Sequence, residues 1–248
     1  MFPNTYSTVV GDQIVDGLSR SNESGFSVPE KLSEILTKVR RGTRLMVIGG
    51  KSSGKSSVNR YIANRLLNSG HEKVYWFELD PGQPEFNVSG WINLVEILKA
   101  RVGPSFAFLR SNEHFRTLSS AFISELSPGN DPSNYIKCVL HLKKTLDRLD
   151  PNIPVIFNAM GWLRHLGLKL NLDIIRICGV ELVYYLKTGT SNDLPEDLDP
   201  THLMSQDGFR EKIRYELYRT NILLVENYRL LLSTFRLNYL ATAEKSIF

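Results

Sequence analysis

The spacing of apolar residues changes several times along the chain, and each change marks an element. In "SVPEKLSEILTKVRR" (27–41), Leu32, Ile35, Leu36 and Val39 recur at helical spacing, and Ser27 and Glu30 are placed as a capping-box pair. "RLMVIG" (44–49) is short, unbroken and apolar, which predicts a buried strand. "KSSVNRYIANRLLNSG" (55–70) returns to a helical period and stops at Gly70. Further strands are predicted at "KVYWFELD" (73–80), "IPVIFNAMGW" (153–162) and "VELVYYLK" (180–187), with a weaker one at "SFAFLR" (105–110). Helices are predicted at "DPSNYIKCVLHLKKTLDRLD" (131–150), opened by Asp131, and at "GLKLNLDIIRICG" (167–179). Strands separated by helices imply a layered α/β domain around a mostly parallel sheet.

This pattern divides the chain into an extended lead-in (1–26), a main domain (27–208) whose last part, 188–208, is a polar loop, and a helical tail (209–248). The tail carries Arg210, Lys212, Arg214 and Arg219. Composition changes this picture little. At 248 residues and 42% hydrophobic, the chain has material for one sizeable core. No apolar run reaches the ~20 residues that span a bilayer, so no membrane role is expected, and the first residues lack the pattern of a signal peptide. The expected compartment is cytosol or nucleus. Cys138 and Cys178 sit in separate apolar patterns without metal-ligand spacing and read as buried thiols. A net charge of +4 suits a phosphate-rich partner without requiring one.

The chemistry begins behind the first strand. Residues 49–57, "GGKSSGKSS", contain the pattern G-x-x-x-x-G-K-S, with a strand before and a helix after. Glycines let successive N–H groups turn inward onto phosphate oxygens, and the helix presents its positive end to the anion. Gly49, Gly50, Lys51, Ser52, Ser53, Gly54, Lys55, Ser56 and Ser57 therefore form a candidate nucleotide cradle. Lys55 would neutralise the β- and γ-phosphates, and the Ser56 hydroxyl would ligate Mg²⁺. The fold class is thus a P-loop NTPase-type layered domain. In "FELDPGQPEF" (77–86), Asp80 ends a strand, where ligands gather in open α/β sheets. It can hold Mg²⁺ or take a proton from an attacking hydroxyl, and Gln83 can orient a nucleophile or a metal-bound water. Glu78 shares the face of Asp80 and needs a partner if buried: Lys51, Lys55, a metal shell, or a purely structural neighbour. Arg210 and Arg214, one helical turn apart, suit a lid over a transferring phosphate as well as a solvated basic face.

Taken in order, "GGKSSGKSSVNRYIANRLL", "FELDPGQPEF", "GPSFAFLR" and "PVIFNAMGW" resemble the nucleolar polynucleotide 5′-hydroxyl kinases, relatives of the RNA kinase subunit of the messenger-RNA cleavage factor. The resemblance covers roughly residues 30–190. It implies transfer of the γ-phosphate of ATP, or another NTP, to 5′-hydroxyl ends of RNA or DNA. It also implies work on ribosomal-RNA precursors in the nucleolus and nucleus, beside an endonuclease partner. By position it carries over Lys55 and Ser56, then Asp80 and Gln83, then Asn158, Gly161 and Trp162 near a substrate groove. Trp162 would stack a terminal base or fill a core position. The sequence departs from the family at Ala159, where Thr is usual, at Arg164 in place of Lys, and at His165 in place of Gly. The family also carries domains on both sides of its kinase core, and the tail here would be a lid and a remnant of the C-terminal one. The rival expectation is a nucleotide-binding scaffold without transfer activity.

Overall fold

An unbroken apolar strand needs cover on both faces, and β1 (Arg44–Gly49) has it near the middle of a seven-stranded sheet. The computed structural model describes residues 30–101, 113–186, 207–210 and 221–225. The remaining elements are α1 (Glu30–Lys38), α2 (Lys55–Asn68), β2 (Val74–Glu78), β3 (Trp91–Ile97), β4 (Phe115–Phe122), α3 (Pro132–Leu146), β5 (Val155–Asn158), α4 (Leu166–Cys178), β6 (Leu182–Leu186) and β7 (Asn221–Val225). Strand order is β4-β3-β2-β5-β1-β6-β7. β2, β5, β1, β6 and β7 run parallel, β3 adds antiparallel to β2, and β4 antiparallel to β3.

Helices cover both faces, so the α/β layered architecture expected from the pattern is the observed one. On one face Leu32 of α1 and Val58 and Ile62 of α2 pack on Leu45, Val47, Trp76 and Ile156. On the other, Tyr135, Ile136, Val139 and Leu142 of α3 and Leu168, Leu172 and Ile175 of α4 pack on Met46, Phe77 and Phe157. Asp131 caps α3 as expected, its carboxylate accepting the Asn134 N–H at 2.9 Å. α2 closes at Gly70, whose φ of +100° is the left-handed conformation that ends a helix. Cys178 is buried, Cys138 half-buried, and both are free thiols.

Three strands depart from the sequence reading. β3 and β4 were not expected. The apolar residues of "WINLVEI" are inward on both faces, so they show no alternation by which a strand is recognised. β7 falls inside the tail expected to be helical. "NILLV" instead pairs parallel with β6, from Leu182–Asn221 to Leu186–Val225. Arg210 was expected on a helix and lies in a bend, held by a bond from its N–H to Asp173 of α4 at 3.0 Å. The lead-in 1–26, Ser27, the strand at 105–110, the polar loop apart from 207–208, and Arg214 lie outside the described residues.

Candidate active site

β1, β5 and β2 are consecutive in the sheet and parallel, so their C-terminal ends form one edge. That edge is where an open α/β sheet binds ligands. The phosphate-loop sequence leaves β1 there. Its turn uses left-handed conformations at Ser52 (φ +63°) and Gly54 (φ +91°), and Gly54 is the residue before α2. Gly49 has no room for a side chain, because a Cβ would stand 2.5 Å from Ser53 Oγ and 3.0 Å from Leu186 Cβ. Lys55 is buried, and its Nζ donates to the carbonyl oxygens of Gly49 and Gly50, each at 3.1 Å. Those bonds hold the ammonium inside the turn, where it can exchange carbonyl oxygens for phosphate oxygens. Ser53 Oγ is buried and unpartnered, a polar atom aimed into the same turn. A turn with these features fits a nucleotide phosphate chain.

Asp80 follows β2 on this edge. Its Oδ1 accepts the N–H groups of Gly82 (3.1 Å) and Gln83 (3.2 Å), which fixes the carboxylate. Burial raises its pKa; those N–H groups, then Lys55 and Lys51, oppose the rise. Lys55 shows the converse: burial lowers its pKa and the Asp80 charge resists. Lys55, behind the end of β1, and Asp80, behind the end of β2, thus share one edge of the sheet, with the end of β5 between them. Ser56 is half-buried at the start of α2. Gln83 is exposed, and the described contact to Asp80 is made by its backbone.

Glu78 solves its burial without either lysine. It is fully buried; Oε1 accepts Asn158 Nδ2 at 2.7 Å and the Asp80 N–H at 3.4 Å, and Oε2 accepts Trp76 Nε1 and the Glu85 N–H, each at 3.1 Å. Asn158 Oδ1 in turn accepts Asn59 Nδ2 at 2.8 Å. One buried chain therefore joins the helix behind the phosphate loop, the end of β5 and the turn bearing Asp80. Asn59, and the pairing of Asn158 with Glu78, are not legible in the sequence, because these meetings depend on strand order. Glu85 and Phe86 belong to the same support. Glu85 pairs with Arg60 at 3.1 Å and approaches Arg101 at 3.8 Å, while Phe86 packs on Trp76 and under the Arg101 guanidinium.

Burial pushes Glu78 from 4.5 up to about 8, against the hydrogen bonds it accepts. A carboxyl whose folded pKa is raised adds stability below pH 4.5 and loses it as pH rises through 8. Glu78→Gln removes this titration. In denaturant melts the native protein is expected to lose stability relative to the Gln variant between those pH values, by a few kcal/mol at the upper end. Parallel pH profiles would contradict the assignment.

The third segment completes the edge. Asn158 is buried and spends both ends of its amide on Asn59 and Glu78. Gly161 lies against the phosphate loop: a Cβ there would be 2.9 Å from Lys51 N and 2.9 Å from Lys55 Nζ. Trp162 is half-buried against the core, its ring resting on Gly167 of α4 and reaching Gly129, where a Cβ would stand 3.1 Å away. Lys55, Asp80, Asn158 and Gly161 are thus brought to one edge. Arg210 is exposed and anchored at Asp173, where Gly208 also touches the same carboxylate.

Residues 49–220 match the family model described as the mRNA cleavage and polyadenylation factor CLP1 P-loop. The chain belongs to the CLP1 P-loop family. It is 36% identical over 177 residues to the polynucleotide 5′-hydroxyl-kinase grc3 of Schizosaccharomyces pombe, covering 68% of this chain and 23% of that protein. It is 33% identical over 173 residues to the polynucleotide 5′-hydroxyl-kinase NOL9 of Homo sapiens, covering 70% and 23%. The chain thus spans about a quarter of the length of these curated relatives. The fold is shared with Clp1p in a solved complex of wild-type Clp1p with Pcf11p, at a TM-score of 0.52 and 21% identity, covering 65% of this chain and 40% of that one.

The departures from the CLP1 family's third segment have visible consequences here. Ala159 is fully buried in the core. His165, where the resemblance has Gly, adopts φ +49° and ψ −123° just before α4, a conformation that favours glycine. His165→Gly is therefore expected to stabilise the fold by about 1 kcal/mol, raising Tm by about 2–4 °C. A melting temperature unchanged or lowered would show that the imidazole makes a compensating contact.

Proposed function

We propose that the chain is an ATP-dependent polynucleotide 5′-hydroxyl kinase acting on RNA. The observation that carries this reading is the Lys55 ammonium held inside the phosphate turn behind β1 and the fixed Asp80 carboxylate behind β2, both on the ligand-binding edge of the sheet. In the reaction the acceptor 5′-oxygen bonds to the γ-phosphorus, the bond from that phosphorus to the β-bridging oxygen breaks, and ADP leaves. Lys55 offsets charge on the β- and γ-phosphates. Asp80 receives the proton of the 5′-hydroxyl, a role helped by burial that makes its carboxylate more basic. Gln83 orients the acceptor. The Ser56 hydroxyl and Asp80 would hold Mg²⁺, which keeps few protein ligands and takes the rest from phosphate and water. When bound, that ion would neutralise charge on the phosphate oxygens.

Asn158 serves by position, since both ends of its amide are used inside the protein. The outer part of the half-buried Trp162 stacks the terminal base. Arg210 and Arg214 form the lid, with Asp173 as the hinge-side anchor of Arg210. The likeness to nucleolar kinases supports a place in the nucleolus, work on ribosomal-RNA precursors and an endonuclease partner.

End-labelling tests the proposal. Matched 5′-hydroxyl RNA and DNA oligonucleotides are incubated with γ-labelled ATP and the purified chain. Label on RNA, dependent on ATP and Mg²⁺, is the expected result. ATP binding without labelled product would replace the kinase by a nucleotide-binding scaffold.

A further inference from the structure

The turn after Asp80 is bordered by an exposed apolar surface that the reaction has not used. Among the described residues the exposed large apolar side chains are Val88 (66%), Leu98 (38%), Phe122 (56%) and Leu126 (66%), and all except Leu98 gather here. β3 runs antiparallel to β2, so its first residue, Trp91, stands on the same edge as Asp80, and Phe122, at the end of β4, is paired with Trp91. A chain of contacts links them. Gly90 donates its N–H to the carbonyl of Pro81, the residue after Asp80, at 2.8 Å. A Cβ on Gly90 would meet Phe122 at 3.3 Å. Gly82 lies 2.9 Å, from its would-be Cβ, to the Leu126 carbonyl oxygen, and Gly129 of the same loop touches Trp162. Phe122, through Gly90, and the Leu126 backbone thus border the turn that follows Asp80, and Gly129 of the same loop meets Trp162.

The Phe122 ring is braced by Trp91, with centroids 5.0 Å apart and planes at 43°. The ring therefore stands at the end of β4 beside a second aromatic ring while remaining largely exposed. The described stretches that build this surface, residues 74–98 and 117–136, contain no Lys or Arg. Of the two acids in the loop after β4, Glu125 accepts Asn130 Nδ2 at 2.6 Å and Asp131 caps α3. A region without cations cannot attract phosphates, but it offers apolar faces on which nucleobases stack irrespective of sequence.

We infer that Phe122, with Leu126 beside it, is a stacking subsite for a nucleobase downstream of the acceptor 5′ end, continuing the surface that Trp162 begins. This rests on the kinase reading above. The occupant is a single-stranded polynucleotide, whose backbone must leave Asp80 across this edge once its 5′-oxygen is in place. Because no cation takes part, the contribution of Phe122 to binding is insensitive to salt.

The test uses the full chain and compares two 5′-hydroxyl acceptors, a nucleoside 3′-monophosphate and a four-nucleotide RNA. Phe122→Ala is expected to lower the ratio of kcat/KM for the longer acceptor over the shorter roughly tenfold, equally at low and high salt, and Phe122→Trp to restore it. Anisotropy of a 3′-labelled tetranucleotide should weaken by the same factor. An unchanged ratio and unchanged anisotropy overturn the subsite. So does a change of sedimentation on Phe122→Ala with the ratio intact, which would give the surface to a second copy of the chain. Failure of the native protein to phosphorylate either acceptor refutes the kinase reading instead, and the anisotropy arm still decides the subsite.

Discussion

Lys55→Ala is expected to abolish transfer of γ-label to a 5′-hydroxyl RNA, by at least about 10³-fold in kcat/KM. Single cations placed on a transferring phosphoryl group are worth this order in related chemistry, about 4 kcal/mol of barrier. The structure says why no neighbour should replace it. The Lys55 ammonium is buried and held within the turn by the Gly49 and Gly50 carbonyls, whereas Lys51 is exposed. The fold should survive, because burying this ammonium is itself unfavourable and its removal relieves that cost. The measurement is end-labelling at saturating ATP, with a thermal melt as control. Residual labelling within tenfold of native protein, in a variant that melts normally, would remove Lys55 from the mechanism and with it the kinase reading.

Gly161→Val should damage nucleotide binding almost as severely, from a residue outside the phosphate loop. Even a Cβ would lie 2.9 Å from the Lys51 backbone nitrogen and 3.1 Å from its Cα, closer than packed atoms allow. The Lys55 side chain can move aside; the backbone cannot do so without deforming the turn. The expected effect is a loss of ATP affinity of about 100-fold, with a stability cost of about 1–3 kcal/mol typical of overpacking. Gly161→Ala should fall between the two. Calorimetric titration with ATP, paired with denaturant melts, separates site damage from unfolding. Native-like ATP affinity in the Val variant would show that the contact is slack.

The two variants probe different kinds of information. Lys55 could be assigned from eight consecutive residues, because a phosphate cradle is built from contiguous backbone between a strand and a helix. The same locality exposed β1, α2, the Asp131 cap of α3 and the strand end at Asp80. Gly161 could be aligned to a family pattern, yet its reason for being glycine appears only when β5 is laid beside β1. Glu78 was recognised as a carboxylate in need of partners, but the lysines considered for it are not those partners. Three of its partners, Trp76 and the N–H groups of Asp80 and Glu85, are local, but the fourth, Asn158, lies 80 residues away, and Asn158 meets Asn59 across 99. β3 and β4 escaped notice for a related reason. β3 is covered on both faces and so loses the alternation by which strands are read, whereas β4 is partly exposed and its pairing is chosen by the sheet edge it joins.

The sequence by itself determined the phosphate turn, the layered α/β class and the carboxylate at the end of β2, since each depends on residues within a few positions of one another. Only the tertiary structure decided what surrounds them: the Asn59–Asn158–Glu78 chain, Gly161 pressed on the phosphate turn, and Phe122 against Gly90, which bonds the residue after Asp80. Those contacts are fixed by strand order, and strand order is settled by packing across the whole sheet rather than by any local pattern.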